Sequence, residues 1–189
     1  YRKRELAPCL DLLCMANVVH RIYHTAAQGL PLGAGVNLEW FKMIFLDVAL
    51  CQAILGLDVS TWFTKPGAAF INRGMVAESF VGQELLCYSQ TFKKPSIYYW
   101  RRLKKSSTAE IDYICEHDAN VIPIEVKSGH GGKLKSLHLF LEEHAHVQYG
   151  IRFSTNNYMV HNQIVSKPLY AVASLAHPDQ LNALKHLAI

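Results

Sequence analysis

No stretch of this sequence is apolar for long enough to cross a membrane. The longest candidate, from Met43 to Leu55, is interrupted by Asp47 and Gln52, and a spanning helix needs roughly 20 apolar residues. No secretory signal pattern is visible. Cysteine is sparse: Cys9, Cys14, Cys51, Cys87 and Cys115 are an odd set with no CxxC pair, each among apolar neighbours. That pattern excludes a disulfide framework and predicts reduced, mostly buried thiols in a cytoplasmic protein. A phosphate-binding GxxxxGK[ST] loop is also missing. The nearest approach, Gly131-Gly132-Lys133, lacks the first glycine and is followed by Leu134, so these residues are not expected to hold ATP. Internal repeats and low-complexity segments are absent.

Charge is scarce as well. Charged residues make up 18% of the 189, and half of all residues are hydrophobic, which is the composition of a folded domain rather than a disordered one. A net charge of +4 and a pI near 8.8 permit nucleic-acid binding without requiring it. No Ser-His-Asp or Cys-His arrangement stands out. His20 and His24 have a helical metal-pair spacing but fall in a strand-like segment with no third ligand. His144 and His146 follow Glu142 and Glu143 near a helix end, where the helix dipole accounts for them.

The apolar spacing divides the chain in two. Residues 5–18 predict a helix and residues 18–25 a strand. A turn-rich loop follows with Gly29, Pro31, Gly33 and Gly35, and then FKMIFLDVALCQAILGL predicts a short strand running into a helix. That order is expected of a winged-helix-like piece over residues 1–66. Pro66 and Gly67 mark a boundary. Residues 67–189 then predict a helix at 74–90 and strands at 96–103, 109–116 and 121–128. A helix at 133–145, strands near 148–153 and 168–174, and a last helix near 178–187 complete the chain.

Chemistry concentrates on three of these elements. In strand 121–128, Ile122, Ile124 and Val126 take one face, leaving Glu125 and Lys127 on the other. An acid and a lysine in so apolar a strand are costly without partners. Strict alternation in strand 109–116 puts Glu110, Asp112 and Ile114 on one face and Ile111, Tyr113 and Cys115 on the other. If the two strands pair, Asp112 lies next to Glu125. Two close carboxylates repel each other unless a hard divalent cation binds between them. Lys127 would then assist a water or steady charge on a phosphate. Glu78, on the preceding helix with Val81 and Leu85, points inward. Glu84 is its rival for the role of helix acid. Glu110 either supports the ligands or pairs with an arginine. In SIYYWRRLKKSS, the side chains of Arg101, Arg102, Lys104 and Lys105 could follow a phosphate backbone beside stacking aromatics. The same segment also reads as an edge strand with a charged tip.

An acid on a first helix, then Asp, then Glu-x-Lys on successive strands resembles the PD-(D/E)xK nuclease superfamily. That superfamily includes restriction endonucleases and archaeal Holliday-junction resolvases. The segments GMVAESFVGQELL, YYWRR, AEIDYI and IPIEVKSG look like the domain of unknown function at the C-terminus of many bacterial and archaeal AAA-type ATPases. YRKREL and FKMIFLDVAL resemble that family's middle region, so the likeness spans nearly the whole chain. The resemblance implies a restriction-endonuclease-like α-β-β-β-α-β core, a mixed sheet flanked by helices, in an α/β fold. It implies Asp112 and Glu125 as ligands of Mg²⁺ or Mn²⁺, Lys127 as the catalytic lysine, and Glu78 as the helix acid. One departure is that Glu110-Ile111, not proline, precedes the first Asp. Since the chain opens without Met, the expectation is a fragment whose N-terminal ATPase module would be the part that handles ATP. DNA is the expected partner, with homo-oligomers possible and no membrane. The expected activity is metal-dependent cleavage of DNA, the alternative being a non-catalytic module that docks DNA or protein.

Overall fold

The computed structural model describes residues 3–54, 56, 73–89, 95–104, 108–129 and 132–175. Among these, helices α1 (Lys3–Met15), α2 (Val48–Ile54), α3 (Arg73–Cys87) and α4 (Lys135–Glu143) accompany eight strands. The strands are β1 (Val19–Thr25), β2 (Val36–Phe45), β3 (Ile97–Arg101), β4 (Glu110–His117), β5 (Asn120–Val126), β6 (Gly150–Ser154), β7 (Met159–His161) and β8 (Ile164–Pro168). All eight form one mixed sheet in the order β2-β1-β3-β4-β5-β6-β8-β7. The fold is therefore α/β, as expected. No described helix is long and apolar enough to cross a membrane.

The sheet corrects the picture of a separate winged-helix piece. β1 pairs in parallel with β3, through Tyr23↔Tyr98 and His24↔Tyr99, and β2 is the antiparallel strand beyond it. The apolar residues of β1 and β2 thus extend the sheet that holds the Glu-x-Lys strand. The expected boundary at residue 66 lies outside the described residues, as does the helix at 178–187.

β5 is buried along nearly its whole length, because both faces of the sheet are covered. Ile122, Ile124 and Val126 join a cluster with Ala77, Val81 and Leu85 of α3. Val121, on the other face, packs with Leu137, Phe140 and Leu141 of α4. Alternation in β5 is thus as the sequence predicts. In β4 it is not. Tyr98 pairs with Ile114 and Trp100 with Ile111, so Asp112 and Tyr113 together face the single residue Tyr99. The extra residue is a bulge. It lets Ile111 and Ile114 both reach the α4-side cluster, while Tyr113 and Cys115 pack on the α3 side.

The strand expected at 168–174 is also corrected. β8 ends at Pro168, and Leu169–Leu175 is a 3-10 segment. Buried Lys167 donates to Ser174 Oγ (2.7 Å), which donates to the Ala171 carbonyl (2.6 Å), and this ties the segment to β8.

Contact between α3 and the sheet depends on a missing side chain. A methyl at Gly82 would overlap Tyr113 Oη, lie 2.8 Å from its Cζ and meet Ile44 Cδ1 at 3.0 Å. Tyr113 is fully buried and donates from Oη to the Glu78 carbonyl (2.8 Å). Gly82→Ala is expected to destabilise the fold by about 1–3 kcal/mol through overpacking, read as a lower urea midpoint. An unchanged midpoint would show that α3 does not approach the sheet this closely.

Candidate functional site

β1, β3, β5, β6 and β8 run parallel, so their carboxyl ends share one edge of the sheet, and β4 begins there. Asp112, Glu125 and Lys127 all lie at this edge. In the antiparallel β4–β5 register Tyr113 faces Ile124, so Asp112 and Glu125 are the next opposed positions. Asp112 Oδ2 accepts the Val126 amide at 2.7 Å. Lys127 Nζ lies 2.5 Å from Glu125 Oε1. Its stem packs on Gly132, where φ is +122° and a Cβ would sit 3.2 Å from Lys127 Cδ; only glycine suits that backbone and that space.

Glu78 projects from α3 into the same charge cluster, but Lys42 of β2 holds its carboxylate at 2.5 Å. Lys42 Nζ lies 4.6 Å from the Tyr113 ring centre and 5.6 Å from that of Tyr99, a cation–π setting that favours the ammonium. Sequence reasoning missed Lys42. The available signal was a lone cation in the apolar run FKMIF.

Electrostatics follow from burial. Loss of water pushes the Asp112 carboxyl up to about 7, with the Glu78 and Glu125 charges adding to the rise. Lys42 and the Val126 amide oppose it. Glu125 is raised for the same first reason, held back by Lys127. Glu125 Oε2 is buried and has no hydrogen-bond partner, a costly state for a carboxylate oxygen. Asp112 and Glu125 are thus the residues that could take a divalent cation. Among the described residues, no group of three or more His, Cys, Asp or Glu side chains is arranged to hold a metal.

The remaining expected residues lie elsewhere. Glu84 hydrogen-bonds Tyr88 and stays out of the cluster. Glu110 stands opposite Arg101 in the β3–β4 register. Arg102 and Lys104 both bind Glu143 Oε1, at 2.5 and 3.4 Å, so the basic stripe is partly neutralised. Arg101 is exposed, and Lys105 falls outside the described residues.

Residues 73–172, just over half of the 189, match the family described as a domain of unknown function, DUF4143. The chain belongs to the DUF4143 family. The match runs from α3 to the 3-10 segment, so Glu78, Asp112, Glu125 and Lys127 fall inside the DUF4143 domain and Lys42 outside the matched residues. No curated protein and no solved structure matches the chain.

Raising the Asp112 pKa has a sign that can be tested. Its ionisation opposes folding, so its contribution to stability is complete below about 4 and is lost as the pH rises through about 7. Between pH 4 and pH 8 the metal-free protein should lose roughly 2–4 kcal/mol relative to Asp112→Asn. Urea melts in EDTA across this window provide the measurement. Parallel pH profiles for the two proteins would contradict it.

Proposed function

We propose that this DUF4143 domain hydrolyses phosphodiester bonds in DNA, with Mg²⁺ or Mn²⁺ held by Asp112 and Glu125. The observation carrying this reading is the pair itself: buried Glu125 and half-buried Asp112 on opposed positions of neighbouring strands, with a lysine ammonium 2.5 Å from the Glu125 carboxylate. The donor set suits Mg²⁺, which takes one or two carboxylates and completes its octahedron with water and phosphate oxygens. The bare Glu125 Oε2 and the reluctance of Asp112 to ionise are what a cation would relieve. The run α3-β3-β4-β5-α4-β6 has the element order of a restriction-endonuclease-like core and supports assignment to the PD-(D/E)xK superfamily.

When bound, the ion would supply Lewis-acid stabilisation of the phosphate and a water of lowered pKa. The chain's own residues do the rest. The Val126 amide orients Asp112. Lys127 leaves Glu125 Oε1 for a phosphate oxygen or the attacking water and stabilises the negative charge that develops. Lys42 neutralises Glu78, which keeps a third negative charge from building up beside the pair. Domains of this family are often found with AAA-type ATPases. We place the chain with such a module, which would handle ATP.

A second reading is a docking module that does not cut. It is favoured by the two lysines, which already balance Glu78 and Glu125 without any metal.

Cleavage of supercoiled plasmid, single-stranded and branched DNA in Mn²⁺ separates the two. The nuclease reading expects metal-dependent product, abolished by EDTA and reduced about 100-fold or more in Lys127→Ala. No product from any of the three substrates, under conditions where the protein is folded, would favour the docking module.

A further inference from the structure

Three carboxylates and two ammonium groups meet at the carboxyl edge of the sheet, and the two ammonium groups are placed differently. Lys127 follows Glu125 on its own strand and lies 2.5 Å from Glu125 Oε1. Lys42 comes from β2 and lies 2.5 Å from Glu78 Oε1 on α3. Glu78 acts on the pair electrostatically. Its charge raises the proton affinity of both Asp112 and Glu125, and at Asp112 its effect is larger than that of Glu125. Lys42 acts on both in the opposite sense.

The backbone fixes Glu78 beside the pair, because its carbonyl accepts the Tyr113 hydroxyl at 2.8 Å. Its side chain is 31% exposed and that of Lys42 is 20% exposed, so water and small ions reach this end of the cluster. A third carboxylate so placed has the chemistry of a ligand for a second ion. Two-metal phosphodiesterases hold their ions roughly 4 Å apart, and Asp112, which feels the charge of both Glu78 and Glu125, is the residue able to bridge them.

That second position is taken. The Lys42 ammonium binds Glu78 and lies 4.6 Å from the ring centre of Tyr113 and 5.6 Å from that of Tyr99. Both tyrosines are buried, and ring faces stabilise an ammonium group. Lys42 is therefore held by three partners rather than by a lone surface ion pair. Charge counting points the same way. With the carboxylates ionised, three negative charges face two positive ones. One divalent cation more than offsets the difference, and a second would enter a cluster that is already positive.

We propose that Lys42 stands in for a second metal ion, so that the site holds one divalent cation at Asp112 and Glu125 while the ammonium supplies the fixed positive charge beside Glu78. The role of Lys42 rests on the nuclease reading, which puts the first ion at Asp112 and Glu125. The metal count is then determined from β2, outside the residues that match the DUF4143 family.

Counting bound Mn²⁺ tests this without reliance on cleavage. Calorimetric titration gives the stoichiometry, and low-temperature EPR reports whether two Mn²⁺ ions lie close enough to broaden each other's spectrum. One Mn²⁺ per chain is expected in the wild type and in Lys42→Arg, which keeps the cation. Two are expected in Lys42→Met, with a broadened spectrum. One is expected again in Lys42→Met/Glu78→Gln, which removes the carboxylate that Lys42 releases. Circular dichroism establishes that each variant is folded, and Lys42→Gln takes the place of Lys42→Met where the latter is not. Two ions in the wild type, or one in both the wild type and the folded neutral variants, would overturn the role of Lys42 and leave the Asp112–Glu125 site standing. No ion bound by either protein would sink the nuclease reading, and the role of Lys42 with it.

Discussion

Two carboxylates, Asp112 and Glu125, sit on neighbouring strands of an interior sheet, and their mutual repulsion and lost hydration are the constraint to which the surrounding residues respond. Each carboxylate has one oxygen held: Asp112 Oδ2 by the Val126 amide, Glu125 Oε1 by Lys127. The Asp112 arrangement coincides with the β4 bulge, where two residues oppose Tyr99 and the strand changes which face it presents. A bulge next to a site re-aims a side chain at the expense of regular pairing. Here it accompanies the placement of Asp112 within electrostatic reach of Glu78 and Lys42 rather than over the α4 face.

The lysines complete the balance. Lys42 comes from β2, two strands beyond β3 in the sheet order, and meets Glu78 from α3 over the rings of Tyr99 and Tyr113. The cluster is thus assembled from four distant parts of the chain, and β1 and β2 contribute to it rather than forming an appendage. Loss of Lys127 would leave the buried Glu125 without its cation, whereas loss of the Asp112 charge would relieve repulsion from Glu78 and Glu125. The same balance leaves the deficit at Glu125 Oε2 and at Asp112, where a cation can act.

Much of this was legible from local pattern. β5 reads as a strand because both of its faces are covered and its residues are nearly all apolar, which makes Glu125 conspicuous. The spacing of Val81 and Leu85 revealed α3 and the inward course of Glu78. What local pattern could not reveal was non-local. FKMIF reads equally as a wing or as a sheet extension, and only the parallel β1–β3 pairing decides. That same pairing is what brings Lys42 to Glu78. Strict alternation misplaced residues of β4 because a bulge depends on the partner strand. The stretch after Pro168 is apolar enough to imitate a strand, yet it folds as a 3-10 segment whose Ser174 accepts a bond from buried Lys167. The basic stripe was visible, but its neutralisation by Glu143 depends on how α4 packs.

The proposed role of the Asp112–Glu125 pair is to hold a divalent cation. Calorimetric titration of the chain with Mn²⁺ tests it most directly, alongside Glu125→Gln, which keeps the shape of the side chain and removes its charge. One saturable Mn²⁺ site is expected in the wild type, lost or at least tenfold weaker in the variant. A folded wild-type protein that binds no Mn²⁺ at millimolar concentration, or that binds it no better than Glu125→Gln does, would contradict that role.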